Sequence, residues 1–226
     1  MIDNYNDLPI GKYIEISRIV RDDTLPEVDR QVRMLSILSN RTEDDILNTP
    51  ITDFAELSRT ARFLERPPET KPEARDIYEA GAFRLVAVRD ARKMTAAQYI
   101  DFQTFGRNAG NNIVEMLSCL LVPEGMRYND GYDVLEVQAA IREHLDCVSA
   151  LGVYAFFFES LRTSMRGMLT SCRRQARKAG MAPEKMRELN ARISEAMRLL
   201  RPAGAGSRAS TGSRRRAGAS GTKSGR

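Results

Sequence analysis

At 226 residues, with 42% hydrophobic and 29% charged residues, the chain is long enough to bury a core and has the composition of an ordinary globular protein, as one domain or two small ones. Its net charge of +5 hides a split: residues 1–161 carry 18 Lys+Arg against 27 Asp+Glu, a net of −9, and residues 162–226 carry 17 against 3, a net of +14. Three cysteines without CxxC spacing argue against a disulfide framework, the start MIDNYNDLP lacks the basic opening of a signal peptide, and the longest strongly apolar stretch, 148–158, falls far short of the ~20 residues a membrane span needs, so the expectation is a cytoplasmic protein.

In chain order, residues 9–22 read as a helix with Pro9 in its first turn and Ile10, Tyr13, Ile14, Ile16 and Val20 on its apolar face. Residues 27–39 give a second helix, with Val28, Val32, Leu35 and Leu38 in one stripe. Thr42 followed by Glu43, Asp44 and Asp45 is a helix start, a hydroxyl cap before acids that suit the positive end of the helix dipole. Thr52 or Asp53 caps the next helix, which runs to about Leu64 with Phe54, Leu57, Ala61 and Leu64 inward. Pro67, Pro68 and Pro72 forbid a regular element over 65–75. The run 83–88, FRLVAV, is strand-like, and Gly81 turns it back on a short strand at Ile77–Tyr78.

Thr95 and Gln98 have capping-box spacing and open a helix through Phe105; 111–121 is another. Residues 123–132 form a turn, Asp133 and Glu136 again have capping-box spacing, and that helix reaches about Cys147. A long helix follows from about Ala150 to Ala179, and Pro183 starts a last one reaching about Arg201. The aromatic run 156–158 covers nearly the whole circumference of the long helix, which marks a buried core helix, with a partner surface or membrane-surface contact as the lesser alternatives.

Three segments of the first half reappear in the second. Residues 12–16 (KYIEI) match 98–102 (QYIDF), 34–38 (MLSIL) match 116–120 (MLSCL), and 53–57 (DFAEL) match 133–137 (DVLEV). Their offsets of 86, 82 and 80 residues confine insertions to the connections, the pattern of a duplicated helical unit.

Little points to catalysis. His144 is the only histidine and has no serine or cysteine partner at a catalytic spacing, so a surface role is expected. Glu43–Asp45 lacks the alternating ligands of a calcium loop, 106–110 lacks the Lys and Ser/Thr of a phosphate loop, and no cofactor or metal is expected. The basic segment has two parts. Arg162, Arg166, Arg173, Arg174, Arg177 and Lys178 of the long helix fall on more than one face, and Arg166, Arg173, Arg174 and Arg177 are expected to form one positive strip. From Pro202 onward Gly, Ala, Ser, Thr and basic residues predominate, too little apolar surface to offset ordering entropy, and Arg214, Arg215 and Arg216 attract phosphate without the aromatics that stack bases.

The order of helix, Leu/Ile-rich helix, acidic turn and helix in 10–16, 34–39 and 42–51, with 95–103 and the turn 120–123 in the second half, resembles phage tail assembly chaperones. The likeness covers roughly 9–65 and 94–170. It implies a non-enzymatic chaperone or virion assembly factor that holds an aggregation-prone tape measure protein soluble through exposed apolar helix faces. The duplication, the hairpin and the Arg-rich arm depart from that pattern, and no partner-binding residue carries over.

The expected fold is mainly α: a helical unit (1–66), a linker with a β-hairpin (67–93), a second helical unit with the long helix (94–180), a basic helix (181–201) and a disordered Arg/Gly/Ser tail (202–226). The expected partner is a long helical protein, with homo-oligomers and non-specific nucleic acid as further possibilities and no membrane. The alternative function is a nucleic-acid-associated structural protein that grips phosphate through Arg173, Arg174, Arg177, Lys178 and Arg214–Arg216.

Overall fold

The structure is a computed structural model that describes residues 1–71, 75–179 and 182–199. The expected tail at 202–226, with Arg214, Arg215 and Arg216, lies outside the described residues, as do the side chains of Arg173 and Arg177.

The first half builds α1 (Ile10–Arg21), α2 (Glu27–Ser39), the single turn α3 (Glu43–Leu47) and α4 (Ile51–Thr60), which tightens into a 3₁₀ turn over Ala61–Glu65. Pro9 is the cap residue just outside α1, not part of its first turn. Pro50 likewise stands at the cap of α4, where Thr52 or Asp53 was expected, because Pro φ is set for helix entry. Thr42 and Asp45 form a reciprocal capping box on α3. Asn40 ends α2 in the left-handed conformation, at φ 55°.

The strand β1 (Ile77–Ala80) pairs antiparallel with β2 (Phe83–Ala87) around Gly81, whose φ of 58° is one that an L side chain rarely adopts. A third strand, β3 (Leu121–Pro123), pairs with β2 on its other edge, so the expected hairpin is a three-stranded sheet ordered β1-β2-β3. Pro123 is tolerated because β3 is an edge strand and Pro has no N–H to give the ladder.

The second half contains α5 (Ala96–Gly106), α6 (Ile113–Leu120), α7 (Val134–His144), the 32-residue α8 (Cys147–Lys178) and α9 (Pro183–Leu199). The capping box of Thr95 and Gln98 forms. That of Asp133 and Glu136 does not; Asp133 caps by accepting from the Leu135 N–H at 2.8 Å.

The core draws on both halves. Leu8, Ile10, Ile14 and Leu38 pack with Leu85, Phe102, Leu117, Leu120, Val137, Ile141 and Phe157, all nearly inaccessible. Burying each such side chain contributes about 1.5–3 kcal/mol before entropy is counted. The backbone joins the halves too: Ile10 donates to the Leu145 carbonyl at 2.8 Å and Cys147 to the Leu8 carbonyl at 2.8 Å. Helix α8 enters this core through Ala150, Val153 and Phe157, while Tyr154, Phe156 and Phe158 are only half-buried. Phe157 and Phe102 meet edge to face at 4.8 Å, so the aromatic run anchors α8 on α5. A smaller cluster of Val32, Leu35 and Ile46, edged by Phe54, Leu57 and Ala61, holds α2, α3 and α4 together.

Candidate functional site

The chemistry-bearing residues are either buried and quiet or exposed and scattered. His144 is exposed beside Glu143, at 3.9 Å, and its ring covers the hairpin turn, where a Cβ at Gly81 would come within 2.7 Å of it. Burial pushes the Cys119 thiol up to about 11 and the Cys147 thiol up to about 12, so neither is a thiolate at neutral pH. Cys119 Sγ lies 3.5 Å from the Tyr128 hydroxyl, which donates to Asp101 Oδ2 at 3.0 Å and so ties the loop before α7 to α5. Among the described residues no three His, Cys, Asp or Glu side chains gather in a metal-binding group. Nor is any helix of the described residues long and apolar enough to cross a membrane.

What the described surface does offer is apolar helix faces. A groove of about 310 Å³ opens between the end of α1, helix α2 and the 3₁₀ turn after α4. Val20, Met34, Leu35, Ala61 and Leu64 give it an apolar lining, and Glu27, Arg30, Gln31, Ser58, Arg62 and Glu65 supply polar groups. Gln31 Nε2 donates to Ser58 Oγ at 2.9 Å, linking α2 to α4. Arg30 donates to Glu27 and to the carbonyls of Asp22 and Leu25, bracing the α1–α2 turn, while its buried Nε has no protein partner. Elsewhere Ile51 is 79% exposed, Leu135 71% and Ile100 61%, large apolar side chains left in water on three helices.

Of the predicted phosphate-binding residues, Arg174 and Lys178 are exposed one turn apart on α8. Arg173 and Arg177 lie on the same helix, and Arg214–Arg216 fall outside the described residues. Helix α9 adds exposed Lys185, Arg187 and Arg192, the last paired with Glu188 at 2.8 Å.

The groove was not foreseen from sequence. Its lining comes from three separated segments, and the available signal was the polar Arg62 and Glu65 within an otherwise apolar helical spacing. No protein-family model matches the chain, and neither a curated protein nor a solved structure is significantly similar to it.

Proposed function

We propose that this chain is a non-enzymatic assembly factor that holds a helical protein partner, in the manner of the phage tail assembly chaperones it resembles. The observation that carries the reading is the apolar groove between α1, α2 and the turn after α4, together with the exposed Ile51 and Leu135. An amphipathic partner helix laid in the groove would bury its apolar lining and shield its own apolar face.

We also read the body as two like helical units. Helices α1, α2 and α4 answer to α5, α6 and α7 in order. Lys12 and Gln98 are matched positions, and so are Ile37 and Cys119. Lys12 Nζ donates to the Ile37 carbonyl at 3.0 Å, and Gln98 Nε2 donates to the Cys119 carbonyl at 2.6 Å. Val32, Leu35 and Leu38 of α2 are buried, as are their counterparts Val114, Leu117 and Leu120 of α6.

Co-expression with a long helical tail protein that is insoluble alone tests the reading. A soluble complex is expected, with yield falling when Ile51 and Leu135 are both changed to Asp. A partner that stays insoluble beside abundant soluble chain would sink it.

A second reading is favoured by the basic α8–α9 pair, whose exposed Arg174, Lys178, Lys185 and Arg187 present positive charge to a phosphate backbone. In that reading the arm tethers the assembly factor to nucleic acid without sequence preference.

A further inference from the structure

We propose that copies of this chain associate head to tail, with α5 of one copy packing on α4 and its following 3₁₀ turn in the next. The inference rests on the reading of two like units.

Within the chain, α1 packs on α7 through a face made of Ile10, Gly11 and Ile14. The contact is close: a Cβ at Gly11 would lie 2.6 Å from both Cγ and the carbonyl oxygen of Arg142. The offset of 86 that relates α1 to α5 carries this face onto Ala96, Ala97 and Ile100. Ile10 is fully buried, Gly11 is buried and Ile14 is 7% exposed, yet Ala96 and Ala97 are exposed and Ile100 is 61% exposed. The offset of 80 that relates α4 to α7 carries Arg142 onto Arg62, the same residue type, exposed on the 3₁₀ turn. A closed pair of units would repeat the α1–α7 contact as an α5–α4 contact inside one chain. No comparable packing joins α5 to α4 among the described residues.

The two units are therefore related as successive members of an open series. The joining face on α5 is exposed, and on the receiving side Arg62 and Glu65 of the 3₁₀ turn are exposed beside Ala61, whose other side packs on the cluster that holds α2, α3 and α4 together. The occupant that fits each is a second copy, because the chain already contains the solved form of that contact. An interface between unlike faces closes only if its rotation permits, giving a ring, and otherwise grows as a filament. Ala97 in the place of Gly11, and Ala61 and Glu65 in the places of Ile141 and Leu145, make the contact between copies looser than the one within the chain. Association is thus concentration-dependent.

Sedimentation and light scattering of the full chain, followed with concentration, test this. The expected mass rises above the 25.4 kDa monomer. Ile100→Asp and Ala61→Arg each abolish the rise, with helix content and melting checked by circular dichroism. Ala97→Gly, which restores the close approach, lowers the concentration needed. An equimolar mixture of the Ile100→Asp and Ala61→Arg chains gives a dimer that grows no further, since one intact face of each kind survives. A wild-type mass of one monomer at every attainable concentration overturns the proposal. So does a mixture that stays monomeric, or an Ala61→Arg chain that still dimerises, which marks a like-to-like contact. Partner capture by the Ile100→Asp chain is scored separately, so loss of self-association leaves the assembly-factor reading to stand or fall alone.

Discussion

Gly11 of α1 lies directly against Arg142 of α7, with room for no side chain: a Cβ there would sit 2.6 Å from the Arg142 carbonyl oxygen. Backbone cannot step aside as a flexible side chain does. Gly11→Ala is therefore expected to destabilise the chain by about 1–3 kcal/mol, despite the better helix propensity of Ala. Urea titration should show the midpoint falling with little change in slope. An unchanged midpoint would mean that α1 shifts on α7 freely, and the packing described for the core would be wrong.

The two matched side-chain-to-carbonyl bonds differ in what surrounds them. Gln98 is buried at 3% exposure, so Gln98→Leu leaves the Cys119 carbonyl without that donor and breaks the Thr95 capping box. A loss of about 1–3 kcal/mol is expected. Lys12 is half-buried and shares its ammonium between Ile37 and Asn40, within reach of water. Lys12→Met should cost about 1 kcal/mol or less. Equilibrium unfolding of the two variants checks the order, and a Lys12 loss exceeding that of Gln98 would contradict this account.

The helices were legible because each pairs a 3.6-residue apolar stripe with a local start signal. Val32, Leu35 and Leu38 predict α2, and Thr42 with Asp45, or Thr95 with Gln98, mark where a chain turns helical. Strand β3 was not legible. Leu121 continues the apolar run of α6 without a break, and only the long-range pairing of Leu121 with Ala87 makes it a strand. The end of α4 was missed for a related reason: Ala61 and Leu64 keep helical spacing while the backbone tightens to 3₁₀. The apolar groove was illegible because Val20, Met34 and Leu64 meet only in the folded chain. The exposure of Ile100 and burial of Ile14 were equally hidden, since matched residues carry the same apolar signal whether or not a neighbour covers them.

Alkali should unfold the chain earlier than a surface-only titration would. Burial pushes Cys119 from 9.0 to about 11 and Cys147 from 9.0 to about 12, and it pushes Tyr5 from 10.0 to about 12. Burial and its bonds to Cys119 and Asp101 raise Tyr128 further still. Each group is held neutral in the folded state and ionises more easily once unfolded. Their contribution is intact below pH 9, begins to fall as the unfolded thiols and phenols ionise, and is lost as pH rises through 11 to 12. Melting temperature followed from pH 7 to 11 should stay level to about pH 9 and then decline. In a Cys172→Ser background, thiol labelling at pH 8 should be slow until denaturant is added. Immediate labelling of both remaining cysteines would show that neither is buried as described.

The basic segment is tested at residues that take no part in the core clusters of the described residues. Removing residues 200–226 takes away Arg214, Arg215 and Arg216, and Arg174→Gln with Lys178→Gln neutralises two exposed cations on α8. If the segment grips phosphate, the full chain should bind duplexes of unrelated sequence equally, with affinity falling as salt rises. The logarithmic salt slope should be about 0.9 for each phosphate neutralised, and each change should make it shallower. No base-stacking aromatic stands in the tail, so single strands should gain no preference. Fluorescence anisotropy across a salt series measures both slope and preference. Binding that is unchanged by truncation, or insensitive to salt, would remove nucleic acid as a partner and leave the positive arm to act on the acidic surface of another protein.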